Sequence, residues 1–81
     1  MKVKLAMFAK FREYLNPKPA IGERLVVEVE KGSTLRDLFS QFLPDIAEIG
    51  IIMVDGIAQE LDYQIVEDDL NISVFPLSGG G

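Results

Sequence analysis

The strongest helical pattern in this chain is Thr34-Leu35-Arg36-Asp37-Leu38-Phe39-Ser40-Gln41-Phe42. Its apolar members Leu35, Leu38, Phe39 and Phe42 are spaced i, i+3, i+4 and i+7, which places them on one face of an α-helix. Thr34 lies three residues before Asp37, as in a capping box with Asp in place of the usual Glu, and Pro44 is expected to end the helix. We therefore predict one helix whose apolar stripe packs against another layer.

Segments of strand character lie on both sides of this helix. Residues 2–7, 24–30 and 70–75 alternate with the two-residue period of half-buried strands. Asp55-Gly56 stands between two further apolar segments, 51–54 and 57–58, and is a pair typical of type I′ hairpin turns. A sheet of four to five strands is therefore expected.

A second, shorter helix is predicted directly after the first strand. Phe8, Phe11, Tyr14 and Leu15 share one helical stripe, and Asn16-Pro17 is expected to end it. Together these elements predict an α+β domain in which a small mixed sheet curls around one main helix. Periodicity alone leaves the order of the strands open.

The composition excludes several classes of function. The 81 residues include no cysteine and no histidine, which removes disulfides, thiolate nucleophiles, imidazole bases and the usual zinc ligands, so we expect no metal site. A net charge of -5 with scattered basic residues argues against nucleic acid. The longest apolar run is far too short to span a membrane, and a cytoplasmic protein is expected.

Three glycines, Gly79, Gly80 and Gly81, follow the last predicted strand. We divide the chain into a folded domain over residues 1–76 and a flexible glycine-rich tail over residues 77–81. Residues without side chains suit a tail that enters a narrow channel in a partner protein. The interpretation is that the α-carboxylate of Gly81 is the reactive group.

Several segments, taken in order, indicate a family. They are the opening strand and short helix (Val3-Lys4-Leu5-Ala6-Met7-Phe8-Ala9-Lys10-Phe11-Arg12-Glu13), the helix entry Gly32-Ser33-Thr34-Leu35-Arg36-Asp37-Leu38, the turn Val54-Asp55-Gly56, and Val74-Phe75-Pro76 followed by Gly80-Gly81. In this order the chain resembles the β-grasp, ubiquitin-like sulfur carriers, and most closely the small subunit of molybdopterin synthase. The resemblance spans nearly the whole length.

The resemblance implies a function in sulfur transfer. A ubiquitin-activating-like adenylyltransferase would use ATP and magnesium to adenylate Gly81, and sulfur from a donor protein would then convert it to a thiocarboxylate. The large molybdopterin synthase subunit would receive this sulfur for a pterin precursor. The chain would bind no cofactor and would be non-catalytic alone. Alternatives are sulfur supply for thiamine or tRNA thiolation, and a protein modifier that forms isopeptide bonds through Gly81.

The residues around the tail are assigned accordingly. Gly79 and Gly80 would thread into the partner, and Phe75, Pro76, Leu77 and Ser78 would contact it. We further expect Phe75, Val26 and Ala6 to point away from the core and to form an apolar patch beside the tail. A second explanation for Phe75 and Leu77 is local packing at the end of the strand.

Overall fold

The computed structural model describes residues 1–77. Its secondary structure comprises β1 (Lys2–Met7), a 3₁₀ helix (Ala9–Tyr14), β2 (Leu25–Glu28), α1 (Leu35–Ser40), a second 3₁₀ helix (Ile46–Glu48), β3 (Ile49–Val54), β4 (Ile57–Gln59) and β5 (Leu70–Pro76). None of the described helices is long and apolar enough to cross a membrane.

The five strands form one mixed sheet in the order β2-β1-β5-β3-β4. The first and last strands lie side by side and parallel, with Leu5 opposite Ile72, whereas all other neighbours are antiparallel. Asp68 and Asp69 reinforce the start of this pairing, because the Asp68 carboxylate accepts a hydrogen bond from the Lys2 N–H (2.9 Å) and the Asp69 N–H donates to the Lys2 carbonyl (2.8 Å). The two ends of the folded chain are thereby joined at the centre of the sheet.

Helix α1 begins as predicted. The Thr34 hydroxyl accepts a hydrogen bond from the Asp37 N–H (3.1 Å), and the Asp37 carboxylate accepts one from the Thr34 N–H (3.0 Å). Both halves of the capping box are therefore confirmed. The helix ends at Ser40, earlier than expected, so Phe42 lies beyond it and is only half-buried, while Leu43 packs into the core.

The core lies between α1 and one face of the sheet. It consists of Val3, Leu5, Met7, Phe11, Val29, Leu35, Leu38, Phe39, Leu43, Ile52, Val54, Ile65, Leu70, Ile72 and Val74. The alternating residues of β1 and β5 supply its centre, since successive side chains of a strand point to opposite faces. The opposite face of the sheet is here called the outer face.

The predicted hairpin is confirmed between β3 and β4. Val54 pairs with Ile57, and the turn residues Asp55 and Gly56 have φ angles of 48° and 83°. Positive φ at both positions is what a type I′ turn requires. Asp55 also contacts β5, because its N–H donates to the Asn71 carbonyl and its carboxylate accepts from the Asn71 N–H, both at 2.8 Å.

The predicted short helix forms, but as a 3₁₀ helix rather than as a regular amphipathic one. Of its expected stripe only Phe11 is fully buried, and Tyr14 is largely exposed. Phe8 precedes the helix in an extended conformation (φ -119°, ψ 158°), and its N–H donates to the Val74 carbonyl. Phe8 therefore continues the alternation of β1 and lies on the outer face.

Candidate functional site

The end of β5 is held by the polypeptide that precedes β3. Pro76 is the last strand residue and pairs with Ile49. One residue further on, the Leu77 N–H donates a hydrogen bond of 2.8 Å to the Glu48 carbonyl. The main chain is therefore fixed through Leu77, although the Leu77 side chain is 72% exposed.

Gly50 permits this close approach. The register of the β3–β5 pair shifts between Ile49 and Ile51, which places Gly50 against the main chain of Pro76 and Leu77. A Cβ atom at Gly50 would lie 2.8 Å from the Pro76 carbonyl oxygen and 2.9 Å from both Leu77 N and Leu77 Cα. These are backbone atoms, so no side chain can turn aside to make room. Gly50 was not predicted from the sequence, because glycine is needed here to make room for Pro76 and Leu77, and nothing in the neighbouring residues indicates that they pass so close.

An apolar strip crosses the outer face beside this exit point. It is formed by Phe8, Ile51, Met53 and Phe75 and is called here the outer-face strip. The rings of Phe8 and Phe75 are stacked, with centroids 4.5 Å apart and planes inclined by 14°. Ile51 is directly opposite Phe75 and is 46% exposed. Both Phe8 and Ile51 could have been assigned to this face by extending the two-residue alternation of their strands.

The prediction that Phe75, Val26 and Ala6 form one apolar patch is wrong. Ala6 is completely buried, because the Arg24 guanidinium lies across the sheet and donates to the Ile72 carbonyl and the Ser73 hydroxyl, both at 3.0 Å. Ser73 is the partner of Ala6 in the β1–β5 pair.

Val26 is 66% exposed but remote from Phe75. It pairs with Lys4, which in turn pairs with Asn71. Phe75 is four positions further along β5 than Asn71, about 13 Å at the usual rise of an extended chain. Val26 is therefore not part of the outer-face strip.

A polar cluster supports the loop that holds Leu77. The Glu48 carboxylate accepts a hydrogen bond from Lys10 Nζ and a longer one, 3.4 Å, from the Tyr14 hydroxyl. The hydrogen bond to Glu48 raises the pKa of Lys10 above its ordinary value, although desolvation acts in the opposite direction. The first 3₁₀ helix is thus tied to the residue whose carbonyl receives the Leu77 N–H.

The predicted site residues fall into two groups. Phe75 lies in the outer-face strip, and Pro76 and Leu77 lie at the exit of β5. Ser78, Gly79, Gly80 and Gly81 lie outside the described residues. Because the main chain is held through Leu77, the reach of residues 78–81 is measured from there and is at most about 14 Å. Within residues 1–77 no group of carboxylates is placed to hold a metal ion.

The fold has relatives of known structure. A Pyrococcus furiosus protein that carries the description molybdopterin converting factor, subunit 1, aligns with a TM-score of 0.67 and 23% identity over 94% of this chain and 97% of its own. Small archaeal modifier protein 1 (SAMP1) from Haloferax volcanii aligns in two crystal structures. One has a TM-score of 0.67 and 15% identity over all of both chains, and the other has 0.65 and 17% over 93% and 95%. No protein-family model and no curated protein matches the chain.

These similarities define the class of fold. The chain is a small α+β domain with the β-grasp fold, as the resemblance in the sequence predicted. The domain is therefore built like the molybdopterin converting factor subunit and the archaeal modifier that it superimposes on. At these sequence identities the similarity shows a shared fold and not a shared function.

Proposed function

We propose that this protein is a sulfur carrier whose reactive group is the α-carboxylate of Gly81. The observation that carries the proposal is the position of Leu77. Its main chain leaves the sheet directly beside the outer-face strip, so a partner that docks on the strip also receives residues 78–81. The β-grasp neighbours that are described as a molybdopterin converting factor subunit and a modifier protein support the same function.

The chemistry requires a second protein. A carboxylate is a poor electrophile until it carries a good leaving group. In the proposed cycle a Gly81 oxygen attacks the α-phosphorus of ATP and releases pyrophosphate. Hydrosulfide then attacks the acyl carbon, expels AMP and loses its proton, which leaves a thiocarboxylate. Sulfur delivered as a persulfide would first give an acyl disulfide, which a second thiol of the donor protein cleaves to the thiocarboxylate and a protein disulfide. The activating partner supplies the ATP and magnesium site, and a sulfur donor protein supplies the sulfur.

The outer-face strip would provide the energy of docking. Fixing a residue of the main chain in one conformation costs on the order of 1–2 kcal/mol, so holding residues 78–81 in a partner's channel would cost about 4–8 kcal/mol. Complete burial of a large apolar side chain contributes about 1.5–3 kcal/mol. The remaining exposed surface of Ile51, Phe75 and Leu77 is therefore of the size needed to offset much of that cost.

The recipient of the sulfur is proposed as the large subunit of a molybdopterin synthase, with this chain as the small subunit. That assignment follows the description of the Pyrococcus furiosus neighbour and the ending Val74-Phe75-Pro76 with Gly80-Gly81. Thiamine synthesis and tRNA thiolation would use the same activated carboxylate. Pull-down with the tagged chain, followed by identification of the bound acceptor enzyme, distinguishes these routes.

The test is an intact-mass measurement. The chain is incubated with the adenylyltransferase of its own genome, ATP, magnesium and sulfide. The proposal expects a mass increase equal to the exchange of one oxygen atom for sulfur. Deletion of Gly80-Gly81 should abolish the increase and leave the domain folded, because the core residues lie between Val3 and Val74. An unchanged mass of the full chain would refute the proposal.

A second candidate is a protein modifier that forms isopeptide bonds between Gly81 and substrate lysines. The similarity to small archaeal modifier protein 1 favours it. Arg36 is the last basic residue, so trypsin would leave a long remnant, whereas a glutamate-specific protease that cuts after Glu67 leaves residues 68–81 on the modified lysine. Detection of that branched peptide on other proteins would support conjugation, and a carrier of sulfur alone leaves none.

A further inference from the structure

Residues 48–50, around the start of β3, contact the main chain at the end of β5 through backbone atoms alone. The Glu48 carbonyl accepts the hydrogen bond of the Leu77 N–H, and the absent side chain of Gly50 leaves the space in which Pro76 and Leu77 lie. We propose that residues 48–50 form a backbone guide that fixes the position and direction of the main chain at Pro76 and Leu77, and that Gly50 is a positioning residue for acyl transfer at Gly81. The proposal rests on the function proposed above.

Space, and not backbone conformation, is the reason for glycine at this position. Gly22, Gly32 and Gly56 have positive φ angles and nothing within 4 Å of an added Cβ, whereas Gly50 has three backbone atoms within 3.0 Å. A glycine in a strand often marks a close approach of another backbone, and a shift of register changes the direction of the strand beyond it. Any side chain at Gly50 must therefore displace Pro76 and Leu77.

The first 3₁₀ helix supports the guide through the side chain of Glu48. Lys10 and Tyr14 both donate to the carboxylate of Glu48, whose carbonyl is the acceptor for Leu77. Glu48 thus links a helix that contacts β5 with the point where the main chain leaves β5. The direction of exit is fixed by three elements that are remote from one another in sequence.

The proposed role of Gly50 is to position the main chain at Leu77 and not to contact the partner. Because residues 78–81 span at most about 14 Å, the Gly81 carboxylate can reach only a limited volume around Leu77, and a displacement of Leu77 moves that volume relative to a reactive phosphorus. Misplacement of a reacting group by about 1 Å can cost roughly a hundredfold in rate. Gly50→Ala removes none of the side chains of the outer-face strip, so we expect binding to the partner to be affected much less than transfer.

The test compares Gly50→Ala with Gly22→Ala, a control at a turn position of positive φ where an added Cβ meets nothing within 4 Å. Hydrogen exchange of the Leu77 amide is measured first, and then pyrophosphate release by the adenylyltransferase of the same genome at varied carrier concentration. For Gly50→Ala we expect loss of protection at Leu77, a kcat lower by at least about tenfold and a KM within about twofold of the unmodified chain. Gly22→Ala should change neither kcat nor the exchange of Leu77.

Three results would overturn the proposal: retained protection of Leu77 in Gly50→Ala, lost protection with an unchanged kcat, or an equal fall of kcat in Gly22→Ala. If Gly50→Ala does not fold, Leu77→Pro is compared with Leu77→Ala: both remove the exposed Leu77 side chain, but only proline removes the N–H donor to the Glu48 carbonyl and places its ring against it. A kcat clearly lower in Leu77→Pro than in Leu77→Ala is then required. If the unmodified chain is not adenylated at all, the proposed function fails and the positioning role falls with it. Exchange at Leu77 still decides whether the guide exists.

Discussion

The ring of Phe8 stacks on the ring of Phe75, and this pair joins the end of β1 to the end of β5 on the outer face. The stack lies beside the point where Leu77 leaves the sheet, and Ile51 borders it on β3. An aromatic pair held in this way would suit the proposed docking of a partner, since its side chains lose little further freedom when they are covered.

Replacement of Phe75 by alanine should weaken binding of the proposed activating enzyme by about 0.5–1 kcal/mol, roughly a twofold to fivefold higher Kd, because much of the side chain is already covered in the free domain. The stability of the domain should fall by at least as much, since the substitution also removes the stack on Phe8, which adds about 0.5–1.5 kcal/mol. Isothermal titration of the enzyme with each chain measures the first effect, and urea unfolding measures the second.

Val26→Ala is the matched control for this substitution. Val26 is also an exposed apolar residue of the outer face, but it lies beside Lys4 on β2 and outside the strip. We expect its Kd to remain that of the unmodified chain. A loss of affinity in Val26→Ala equal to that in Phe75→Ala would show that the partner covers a different part of the sheet.

The elements that the sequence predicts well are those that depend on neighbouring residues. The capping box of Thr34 and Asp37 closes within four residues, and the Asp55-Gly56 turn requires only two positive φ angles. Both are local hydrogen-bonding or steric preferences, so they can be predicted before any tertiary contact is known.

The parts that could not be predicted depend on contacts distant in sequence. Nothing near Ala6 indicates that Arg24 will lie across the sheet and bury it, and nothing near Gly50 indicates that Leu77 will pass against it. The order of the strands is of the same kind, since the central pair joins β1 to β5 across almost the whole chain. Glycine at a close approach leaves no periodic signal in the sequence.

Asp55→Ala should destabilise the domain by about 1–2 kcal/mol. The substitution removes a carboxylate that accepts a hydrogen bond from the Asn71 N–H, and it places alanine at a φ of 48°, which asparagine and aspartate tolerate better. Asp55→Asn keeps an acceptor and the conformational preference, so it should recover most of the loss. Urea unfolding of both variants measures the difference, and equal destabilisation by both would contradict this account of the turn.

Phe39→Ala should remove a large share of the stability of the domain. Phe39 is completely buried in the core, and deletion of such a side chain costs about 3–5 kcal/mol. A domain of 81 residues has a free energy of unfolding of roughly 4–12 kcal/mol in total. Phe42→Ala should cost clearly less, because Phe42 lies beyond the end of α1 and is half-buried. Equal losses in the two variants by urea unfolding would mean that both rings belong to the core.

The contact between Lys10 and Glu48 should stabilise the domain in a way that depends on pH. The hydrogen bond to Glu48 raises the pKa of Lys10 in the folded state above its ordinary value of 10.5. A group whose pKa is raised by folding contributes stability below its unfolded pKa and loses that contribution as the pH rises through the folded value. Lys10→Gln should therefore be less stable than the unmodified chain by a constant amount between about pH 7 and pH 9, and the difference should shrink above about pH 10.5.

Lys31→Gln removes the same charge from an exposed turn and serves as the control in urea unfolding at each pH. A difference for Lys10→Gln that grows with pH, or that matches the control throughout, would exclude a stabilising contact at Glu48.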